Sequence, residues 1–570
     1  MRRQFDLHHV LAVVSLLVVA QTAEAQTAPP PGPNSDTTYQ QLRNISLGSE
    51  AVTVKDFDLK RDAATFHLGS GTVCFVASVN SKVTGAVFVG DGNMILDPPI
   101  PIEKSSLKLL TKSDEFVEQY EHLVLRFTDS TYEEIKKAGT PGGSCDAGLL
   151  HDSQNAMRHS HFMKYNLDAR LLQDVLSTEP GGLFVAFVHG KKYNGKEIYL
   201  VDPHGAPDLV HRVAPEEIEF LTYDENKLGT WAAFHFSREY KDGSATGTQQ
   251  NYSYQITHQQ LDTTIEKNAH LNGKATTTLV SLVDGLRVIP FDLYRTLRVH
   301  SVIDEKQQAL SFIQEDKNDD ADFWVILPRA LGLGEKYTVT TIYDGKDAVE
   351  NKGSGNYYPL ARWNWYPNNV AGGLGHYVAY DMTFRIPKGM KMAATGVLVT
   401  ESNDGGQIVT VWKSAVPQTV AGFNFGRFKM EEAKLSSPEY LVQAYANEEP
   451  PGDIQALLER VNADSRNARD RSNPEGMGAP GLGHHGSQYA VALGNLSTAP
   501  LLEKALAEAQ LAMQLYSDYF GPAPYKQLAV TQQWACNYGE SWPGLVYLPL
   551  CYYYDPTVRH QLHMDYRDFG

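Results

Sequence analysis

The stretch Tyr380-Asp-Met-Thr-Phe-Arg-Ile386 belongs to a series of strand-like runs that begins near Thr276. The other runs of this series are Phe323-Trp-Val-Ile-Leu327, Tyr337-Thr-Val-Thr-Thr-Ile-Tyr343, Thr395-Gly-Val-Leu-Val-Thr400 and Ile408-Val-Thr-Val-Trp412. Asp344-Gly345 and Asp404-Gly405 are turn pairs between such runs. Because regular turn spacing is typical of a sandwich or an open curved sheet, residues 276–435 are predicted to form an antiparallel β domain.

A second group of strand-like runs lies upstream of this domain. These short runs are Thr72-Val-Cys-Phe-Val-Ala77, Val83-Thr-Gly-Ala-Val-Phe-Val89, Leu123-Val-Leu-Arg-Phe127, Leu183-Phe-Val-Ala-Phe-Val188 and Ile198-Tyr-Leu-Val201. One helix is expected near Tyr165 to Leu176. Residues 37–255 are therefore predicted to form an additional, mostly β domain.

The composition changes after residue 435. Residues 436–498 are expected to hold a helix and a flexible linker. The linker is expected because the Gly- and Pro-rich sequence between Asp464 and Leu493 cannot hold a regular element. Apolar residues then recur at three- and four-residue steps, at Leu502, Leu506, Ala509, Met513, Tyr516 and Phe520. Thr498 can cap this helix, and Gly521-Pro522 ends it. Residues 499–570 are predicted to begin a mixed α/β or helical domain that breaks off at Gly570.

The first 25 residues are predicted to be a signal peptide. Arg2 and Arg3 precede an apolar run, Val10 to Ala20, that is too short to span a bilayer, and Ala23-Glu-Ala25 offers small residues to a signal peptidase. We expect cleavage after Ala25 and export to a periplasmic or extracellular location; the alternative is a membrane anchor. Residues 26–36 form a stiff, Pro-rich linker, and no later stretch is apolar for long enough to span a membrane.

A formal net charge of −17 limits the classes of partner. A chain this acidic repels phosphate backbones, which argues against nucleic acid as a partner. The charge is compatible with cationic substrates such as the free amino end of a peptide, although it also serves solubility. The four cysteines form no Cys-x-x-Cys, which argues against a thiolate zinc site, and their even number permits disulfides in an exported chain.

No complete catalytic motif occurs in the 570 residues. The sequence lacks a Gly-x-Ser-x-Gly elbow, a phosphate loop, a Gly-x-Gly-x-x-Gly after a strand and a His-Glu-x-x-His zinc motif. His560 and His563 can share one face of a helix, but a lone pair at this spacing is usually found on a surface. No metal ligand is therefore assigned within this chain.

Two parts of the sequence carry landmarks in an informative order. The first part contains Trp363-Asn-Trp-Tyr-Pro367, Tyr380 to Pro387, Ala394-Thr-Gly396, Thr410-Val-Trp412 and Phe423-Asn-Phe-Gly-Arg-Phe428. The second part contains Phe520-Gly-Pro-Ala-Pro-Tyr525, Leu528 to Gln533, Gly539-Glu-Ser-Trp542, Gly544-Leu545 and Tyr547. Together they resemble the zinc aminopeptidases of the gluzincin class, the family of membrane alanyl aminopeptidase. Gly539, Ser541 and Pro543 depart from the family pattern, which has Met, Asn and no insertion at these places.

The resemblance covers Thr276 to Gly570 and implies a fold and an activity. It implies a β saddle over residues 276–435, the start of a thermolysin-like catalytic domain over residues 499–570, and a zinc ion held by His-Glu-x-x-His and a later Glu. This motif is expected beyond Gly570, so the present chain alone is expected to bind no stoichiometric zinc and to be inactive. The rival interpretation is a secreted β-rich binding or assembly protein that keeps the saddle without catalysis.

The resemblance also implies a substrate site around Glu540. Glu540, with Gly539, Trp542 and Tyr547, is expected to bind the free amino end of a peptide. The alternative for Glu540 is a structural carboxylate that caps a helix or pairs with an arginine, and the alternative for Trp542 and Tyr547 is core packing. Cys536 and Cys551 bracket this loop and can form a disulfide worth roughly 3 kcal/mol by chain entropy; two buried free thiols are the alternative.

Overall fold

The computed structural model describes residues 31–158, 166–193, 195–206, 216–224, 229–245, 252–318, 323–351, 355–360, 363–369, 376–450, 497–534 and 539–554, and the single positions 452, 456, 459 and 557. Within these ranges the chain forms four β-sheets, most of whose strand pairs are antiparallel. The predicted fold class, mainly β in the first two regions, is confirmed. None of the helices in these ranges is both long and apolar enough to cross a membrane.

The first sheet has nine strands in the order β5-β1-β2-β3-β4-β6-β7-β8-β9, all antiparallel. Its strands are β1 (Leu47–Arg61), β2 (Ala64–Val76), β3 (Gly85–Leu96), β4 (Phe116–Phe127), β5 (Thr140–Pro141), β6 (Phe184–Gly190), β7 (Glu197–Ala206), β8 (Glu216–Thr222) and β9 (Gly229–Phe234). Six helices accompany it: α1 (Thr37–Arg43), α2 (Pro101–Thr111), α3 (Thr131–Ala138), α4 (Gly148–Arg158), α5 (Leu167–Leu176) and α6 (Ser237–Asp242).

The central strands of this sheet are covered on both faces. Phe184, Ala186 and Val188 of β6 face a core that includes residues of α2 and α3, whereas Val185 and Phe187 face a core that includes α1, α4 and α5. A strand with two buried faces needs apolar residues at consecutive positions. This explains why the run Leu183 to Val188 is apolar throughout.

The predicted helix near residues 165–176 is α5, and it is buried along almost its whole length. Its charged residues are therefore paired inside the protein. Arg170 lies 2.6 Å from Asp174 and 2.8 Å from Asp202, and Asp168 lies 2.8 Å from Arg158. Each buried charge on α5 thus has a partner of opposite sign, which offsets part of the cost of its burial.

The second sheet has ten strands in the order β12-β15-β14-β13-β16-β11-β10-β19-β22-β21. Its strands are β10 (Tyr254–Ile265), β11 (Leu271–Ser281), β12 (Leu286–Phe291), β13 (Arg298–Asp304), β14 (Ala309–Gln314), β15 (Phe323–Leu331), β16 (Lys336–Gly345), β19 (Ala379–Pro387), β21 (Val397–Asp404) and β22 (Gln407–Lys413). Strands β10 and β19 pair in parallel, and the other pairs are antiparallel.

The ten-stranded sheet begins at Tyr254. The sequence pattern places the start of this domain at residue 276. The sequence pattern did not predict strand β10, because several of its inward-facing positions are polar. Gln259 is fully buried; it donates to the Pro367 carbonyl at 2.7 Å and accepts from the Thr277 hydroxyl at 2.7 Å. Hydrogen bonding thus takes the place of apolar side chains on this part of the inner face.

The first and second sheets share one hydrophobic core. Val288, Ile313, Trp324 and Ile326 of the second sheet belong to the same buried cluster as the residues of α1 and α5. A disulfide between Cys74 of β2 and Cys145 ties the chain just before α4 to the first sheet, with a Cα–Cα distance of 6.0 Å. The first region is therefore held firmly in itself and packs against the second.

Two small sheets follow. The third contains β17 (Val349–Asn351), β18 (Asn356–Pro359), β20 (Lys391–Ala394) and β23 (Phe423–Gly426) in the order β17-β18-β23-β20. The fourth contains β24 (Phe428–Ser436), β25 (Glu439–Asn447), β26 (Gln527–Gln533), β27 (Glu540–Trp542) and β28 (Leu545–Pro549) in the order β24-β25-β26-β28-β27. Short 3₁₀ helices span Ala499–Leu501 and Leu550–Tyr553, and α7 spans Leu502–Phe520.

The fourth sheet has the α/β character that was predicted for the end of the chain. Strands β25, β26 and β28 are parallel, and α7 lies between β25 and β26 in the chain. Leu502 and Leu506 of α7 pack on Tyr440 and Val442 of β25. The residues farther along this helix, such as Phe520, are largely exposed.

Three local predictions differ from the structure. The Thr498 side chain makes no capping bond to α7, which starts at Leu502 after a 3₁₀ turn. Asp344-Gly345 lies within β16 instead of forming a turn, whereas Asp404-Gly405 does lead into the β21–β22 hairpin. In residues 436–498, expected to hold a helix and linker, the described positions 452, 456 and 459 are helical, but β25 precedes them. His560, His563 and the Gly-rich segment at 464–493 lie outside the described residues.

Candidate functional site

Glu540 lies on the edge strand of the fourth sheet. Strand β27 carries it and forms a hairpin with β28, in which Glu540 pairs with Tyr547 and Trp542 pairs with Leu545. The turn is Pro543-Gly544, and Gly544 has a φ of 72°. Proline followed by a residue with positive φ is the signature of a type II turn, so the departure at Pro543 is accounted for by the hairpin.

Gly539 and Glu540 lie at the more accessible end of this hairpin. Gly539 is exposed and Glu540 is half-buried. A Cβ atom at position 539 would lie 3.2 Å from the Tyr547 carbonyl oxygen, so a side chain there would crowd the neighbouring strand. Glycine at this position thus lets the chain before β27 lie close to β28.

Tyr547 is buried and fixed by its hydroxyl. It is 1% exposed, and its hydroxyl donates a 2.8 Å hydrogen bond to the carbonyl of Phe423 in β23. Burial raises its pKa well above the ordinary tyrosine value, and the nearby charge of Glu540 raises it further. Tyr547 therefore joins the fourth sheet to the third as a neutral phenol, as the core-packing alternative expects.

Trp542 packs beside Tyr547. The two ring centroids lie 5.2 Å apart with an interplanar angle of 72°. The indole ring also covers Gly422: a Cβ atom there would come within 1.7 Å of two indole carbons. Trp542 thus anchors the hairpin against the chain before β23 and fixes the backbone from which Glu540 projects.

Gln532 is a buried amide beneath this hairpin, and the sequence analysis did not single it out. Its backbone carbonyl accepts hydrogen bonds from the side-chain amides of Asn356 at 2.8 Å and Asn424 at 2.9 Å. Its side-chain Oε1 accepts from the backbone N–H of Asn447 at 2.9 Å and from the Thr498 hydroxyl at 3.0 Å. Gln532 thereby joins β26 to β18, β23, β25 and the start of the 3₁₀ turn.

The structure gathers three of the four predicted substrate-site residues closely and leaves the cysteine pair undescribed. Glu540, Trp542 and Tyr547 share one hairpin, with Gly539 directly before it. Cys536 lies outside the described residues, as does the side chain of Cys551, so the proposed disulfide stays a prediction. The bridge that the structure contains is Cys74–Cys145.

No metal ligands surround Glu540 among the residues that the structure describes. Within those ranges, the group of three or more His, Cys, Asp or Glu side chains close enough to share an ion is Glu216, Glu217 and His235, in the first sheet. The sequence does not indicate this group, because its members lie on different elements without a metal-binding spacing. A zinc ion that acts beside Glu540 therefore needs ligands from other residues.

Parts of the chain are similar to solved structures of a class of enzymes, the M1 zinc metallopeptidases. An M1 zinc metallopeptidase from Deinococcus radiodurans matches with a TM-score of 0.37 and 18% identity, over 55% of this chain and 63% of that one. A two-domain mutant bound to L-arginine gives the same values, and one bound to L-tryptophan has a TM-score of 0.35 with 18% identity, over 52% and 61% of the two chains.

This chain thus spans less than two thirds of the length of these structures. No protein-family model and no curated protein matches it.

Proposed function

We propose that the chain is part of an exported zinc aminopeptidase in which Glu540 binds the free amino end of a peptide. The observation that carries the proposal is the placement of Glu540, a half-buried carboxylate on the edge strand β27. The anchoring of this strand by Trp542 and Tyr547 supports it, because a rigid scaffold holds a binding group in one position.

A fixed carboxylate suits the recognition of an amino end. The α-amino group of a peptide has an unperturbed pKa of about 7.7–8.0 and is mostly cationic at neutral pH. A hydrogen bond between this cation and the Glu540 carboxylate is charge-assisted and belongs to the stronger kind. The bond sets the distance from the amino end to the reacting centre, so that the first peptide bond is the one placed for hydrolysis.

The proposed zinc would be held by residues outside the 570 of this chain. When bound, zinc supplies a water molecule that is nucleophilic near neutral pH and polarises the peptide carbonyl. The contribution of the present chain is the position of the substrate: Glu540 holds the amino group, and Gly539 lets the backbone before it lie close to β28.

Export is the second part of the proposal. The leader with its Ala23-Glu-Ala25 site supports it, and so does the disulfide between Cys74 and Cys145, because structural disulfides persist mainly in oxidising compartments. The first sheet, which precedes the saddle-like region, has no role assigned in this proposal.

The test compares a free and an amino-acetylated peptide substrate in the complete protein that the gene encodes. Glu540→Ala should lower kcat/KM for the free peptide roughly tenfold to a hundredfold, since a hydrogen bond to a charged group contributes about 1.5–3 kcal/mol. Glu540→Gln should be milder, because its amide oxygen still accepts a hydrogen bond. Zinc content should stay unchanged in both variants.

Glu439→Ala is the matched control, since it removes an exposed carboxylate at the start of β25 in the same sheet. It should leave the preference for the free amino end unchanged. If the unaltered enzyme cleaves both peptides equally well, or if Glu540→Ala keeps the preference, Glu540 is not the amino-end anchor. The gene beyond the codon for Gly570 separates the rival interpretation: a His-Glu-x-x-His in frame favours the enzyme, and a stop codon favours a binding protein.

A further inference from the structure

Four ionisable side chains meet at the far edge of the nine-stranded sheet. Glu216 and Glu217 begin β8, and His235 directly follows β9. Glu239 lies on α6, which starts two residues after His235. Because β8 and β9 are antiparallel neighbours with Ile218 opposite Phe234, the start of β8 and the end of β9 lie side by side.

The donor atoms of this cluster surround one imidazole nitrogen. His235 Nδ1 lies 2.6 Å from Glu217 Oε2, 3.1 Å from Glu216 Oε2 and 4.0 Å from Glu239 Oε2. The ligand atoms of Glu216, Glu217 and His235 all lie within 4.8 Å of one another. Two carboxylates and an imidazole therefore converge on a volume of the size of a coordination sphere, and the Glu239 carboxylate approaches the imidazole from α6.

The cluster is buried and carries an excess of negative charge. Glu217 is 0% exposed, His235 4% and Glu239 8%, and only Glu216 reaches solvent to a larger extent. Burial raises the pKa values of Glu216 and Glu239, and the charge of Glu217 raises both further. His235 as an imidazolium and the exposed Arg238, whose guanidinium lies 3.9 Å from Glu239 Oε1, can balance at most two of the three carboxylates, and uncompensated buried charge is costly.

Two oxygen atoms of the cluster point inward without a hydrogen-bond donor. Within the described residues, the buried Oε2 atoms of Glu216 and Glu239 accept no hydrogen bond. Glu239 is more than nine-tenths buried, and its Oε2 faces His235 Nδ1. A buried carboxylate oxygen normally has a donor, so these lone pairs need a proton or a cation.

We propose that Glu216, Glu217, His235 and Glu239 bind a divalent transition-metal ion of the zinc type. An imidazole nitrogen together with carboxylate oxygens suits zinc, whereas calcium and magnesium prefer oxygen ligands alone. Zinc bonds to these atoms of about 2.0–2.2 Å give tetrahedral donor separations of about 3.4 Å. The observed separations of 3.1 and 4.0 Å are close to this value, and the 2.6 Å contact would open slightly.

The site has the character of a structural metal site. Four side chains of the protein supply the donors, which fills a tetrahedral sphere and leaves no position for a substrate. The ion would tie α6 to the ends of β8 and β9. It is separate from the catalytic zinc proposed for the complete enzyme, and it replaces the expectation that this chain holds no metal ligands.

The test measures zinc retained by the 570-residue chain after loading with zinc chloride and dialysis against metal-free buffer. The unaltered chain should retain one zinc ion, and His235→Asn should retain none. Glu239→Gln, which keeps the shape of the side chain, should weaken zinc affinity at least about tenfold. Zinc should raise the Tm of the unaltered chain, because a ligand that binds only the folded state stabilises it, and should not raise that of His235→Asn.

His300→Asn is the matched control, because it removes another histidine that contacts a carboxylate. His300 Nε2 lies 2.6 Å from Asp344 Oδ1 on the second sheet, where His270 Nε2 lies 3.0 Å from Asp344 Oδ2. This variant should retain zinc as the unaltered chain does. The proposal is overturned if the unaltered chain retains no zinc. It is also overturned if the His300→Asn variant loses zinc and the His235→Asn variant keeps it. Should His235→Asn fail to fold, unchanged zinc affinity in both Glu239→Gln and Glu216→Gln overturns it equally.

Discussion

The buried amide of Gln532 connects the strands that carry the candidate substrate site. Gln532 accepts four hydrogen bonds from residues that are far apart in the chain, and it is fully buried. Two of the bonds end on its side chain, which is therefore more than a packing group. Since it lies on β26, beside the strand that pairs with β27, its loss would loosen the support of Glu540.

Replacing Gln532 by leucine should destabilise the protein by about 2–4 kcal/mol. The change leaves the backbone N–H of Asn447 and the hydroxyl of Thr498 without their acceptor, and a buried unsatisfied group costs about 1–3 kcal/mol. Denaturant unfolding measures the loss. Gln407→Leu, at a half-exposed position of β22, is the control and should change stability by less than about 0.5 kcal/mol. Equal unfolding midpoints for the two variants would contradict this role of Gln532.

Glu540, Trp542 and Tyr547 could be singled out from the sequence, whereas Gln532 and the group around His235 could not. Glu540 lies in a local motif, so the residues next to it in the sequence indicate its role. Gln532 and His235 acquire their environment from strands that are distant in sequence, and nothing in their flanking residues distinguishes them from ordinary strand residues. Long-range pairing of this kind depends on sheet topology, which local patterns do not encode.

Among the elements, the first sheet depends on the bridge from β2 to the chain before α4. Changing both Cys74 and Cys145 to serine should lower the free energy of unfolding by about 4 kcal/mol, because the bridge closes a loop with a sequence separation of 71 residues. Urea unfolding measures the loss, and the unaltered protein under reducing conditions should lose a similar amount.

A count of free thiols in the denatured, non-reduced protein checks both cysteine pairs. Two free thiols indicate that Cys74–Cys145 is the single bridge, and none indicates that Cys536–Cys551 is closed as well. Four free thiols would contradict the bridge between β2 and the chain before α4.

The elements that could be predicted are those with strong periodicity. The three- and four-residue steps from Leu502 define α7, apolar runs define β4 and β6, and alternation of polar and apolar residues defines β19. Strand β10 was missed because Gln259 and Thr263 occupy buried positions that a hydrophobic pattern assigns to apolar residues. Four of the six positions that suggested α7 are buried or pack against its core, whereas Phe520, at the same spacing, is exposed to solvent.

Buried tyrosines are distributed over the four sheets. Burial raises the pKa values of Tyr199, Tyr254, Tyr380 and Tyr547 well above the ordinary tyrosine value, and that of Tyr252 to about 12. Because the folded protein keeps these phenols neutral, their contribution to stability is complete below the unfolded-state pKa of about 10. The contribution is lost as pH rises from there through the folded-state values.

We therefore expect the protein to unfold cooperatively above about pH 10, with the ionisation of the buried tyrosines in the same transition. Ultraviolet absorbance of tyrosinate and far-ultraviolet circular dichroism, followed together during an alkaline titration, measure the two events. Complete ionisation of all tyrosines while the circular dichroism stays native would contradict the expectation.

The parallel pairing of β10 with β19 has a consequence for the order of assembly. Leu261 pairs with Met382, so β10 is synthesised long before this neighbour, and the connection between them contains six other strands of the same sheet, β11 to β16. Until then β10 is an open edge able to recruit a foreign strand. Its polar run from His258 to Gln260 makes that edge a poor template for aggregation while it waits, since polar and charged residues protect sheet edges. The polar residues that make β10 hard to predict from hydrophobicity are thus also expected to limit aggregation of the nascent chain while the sheet forms slowly.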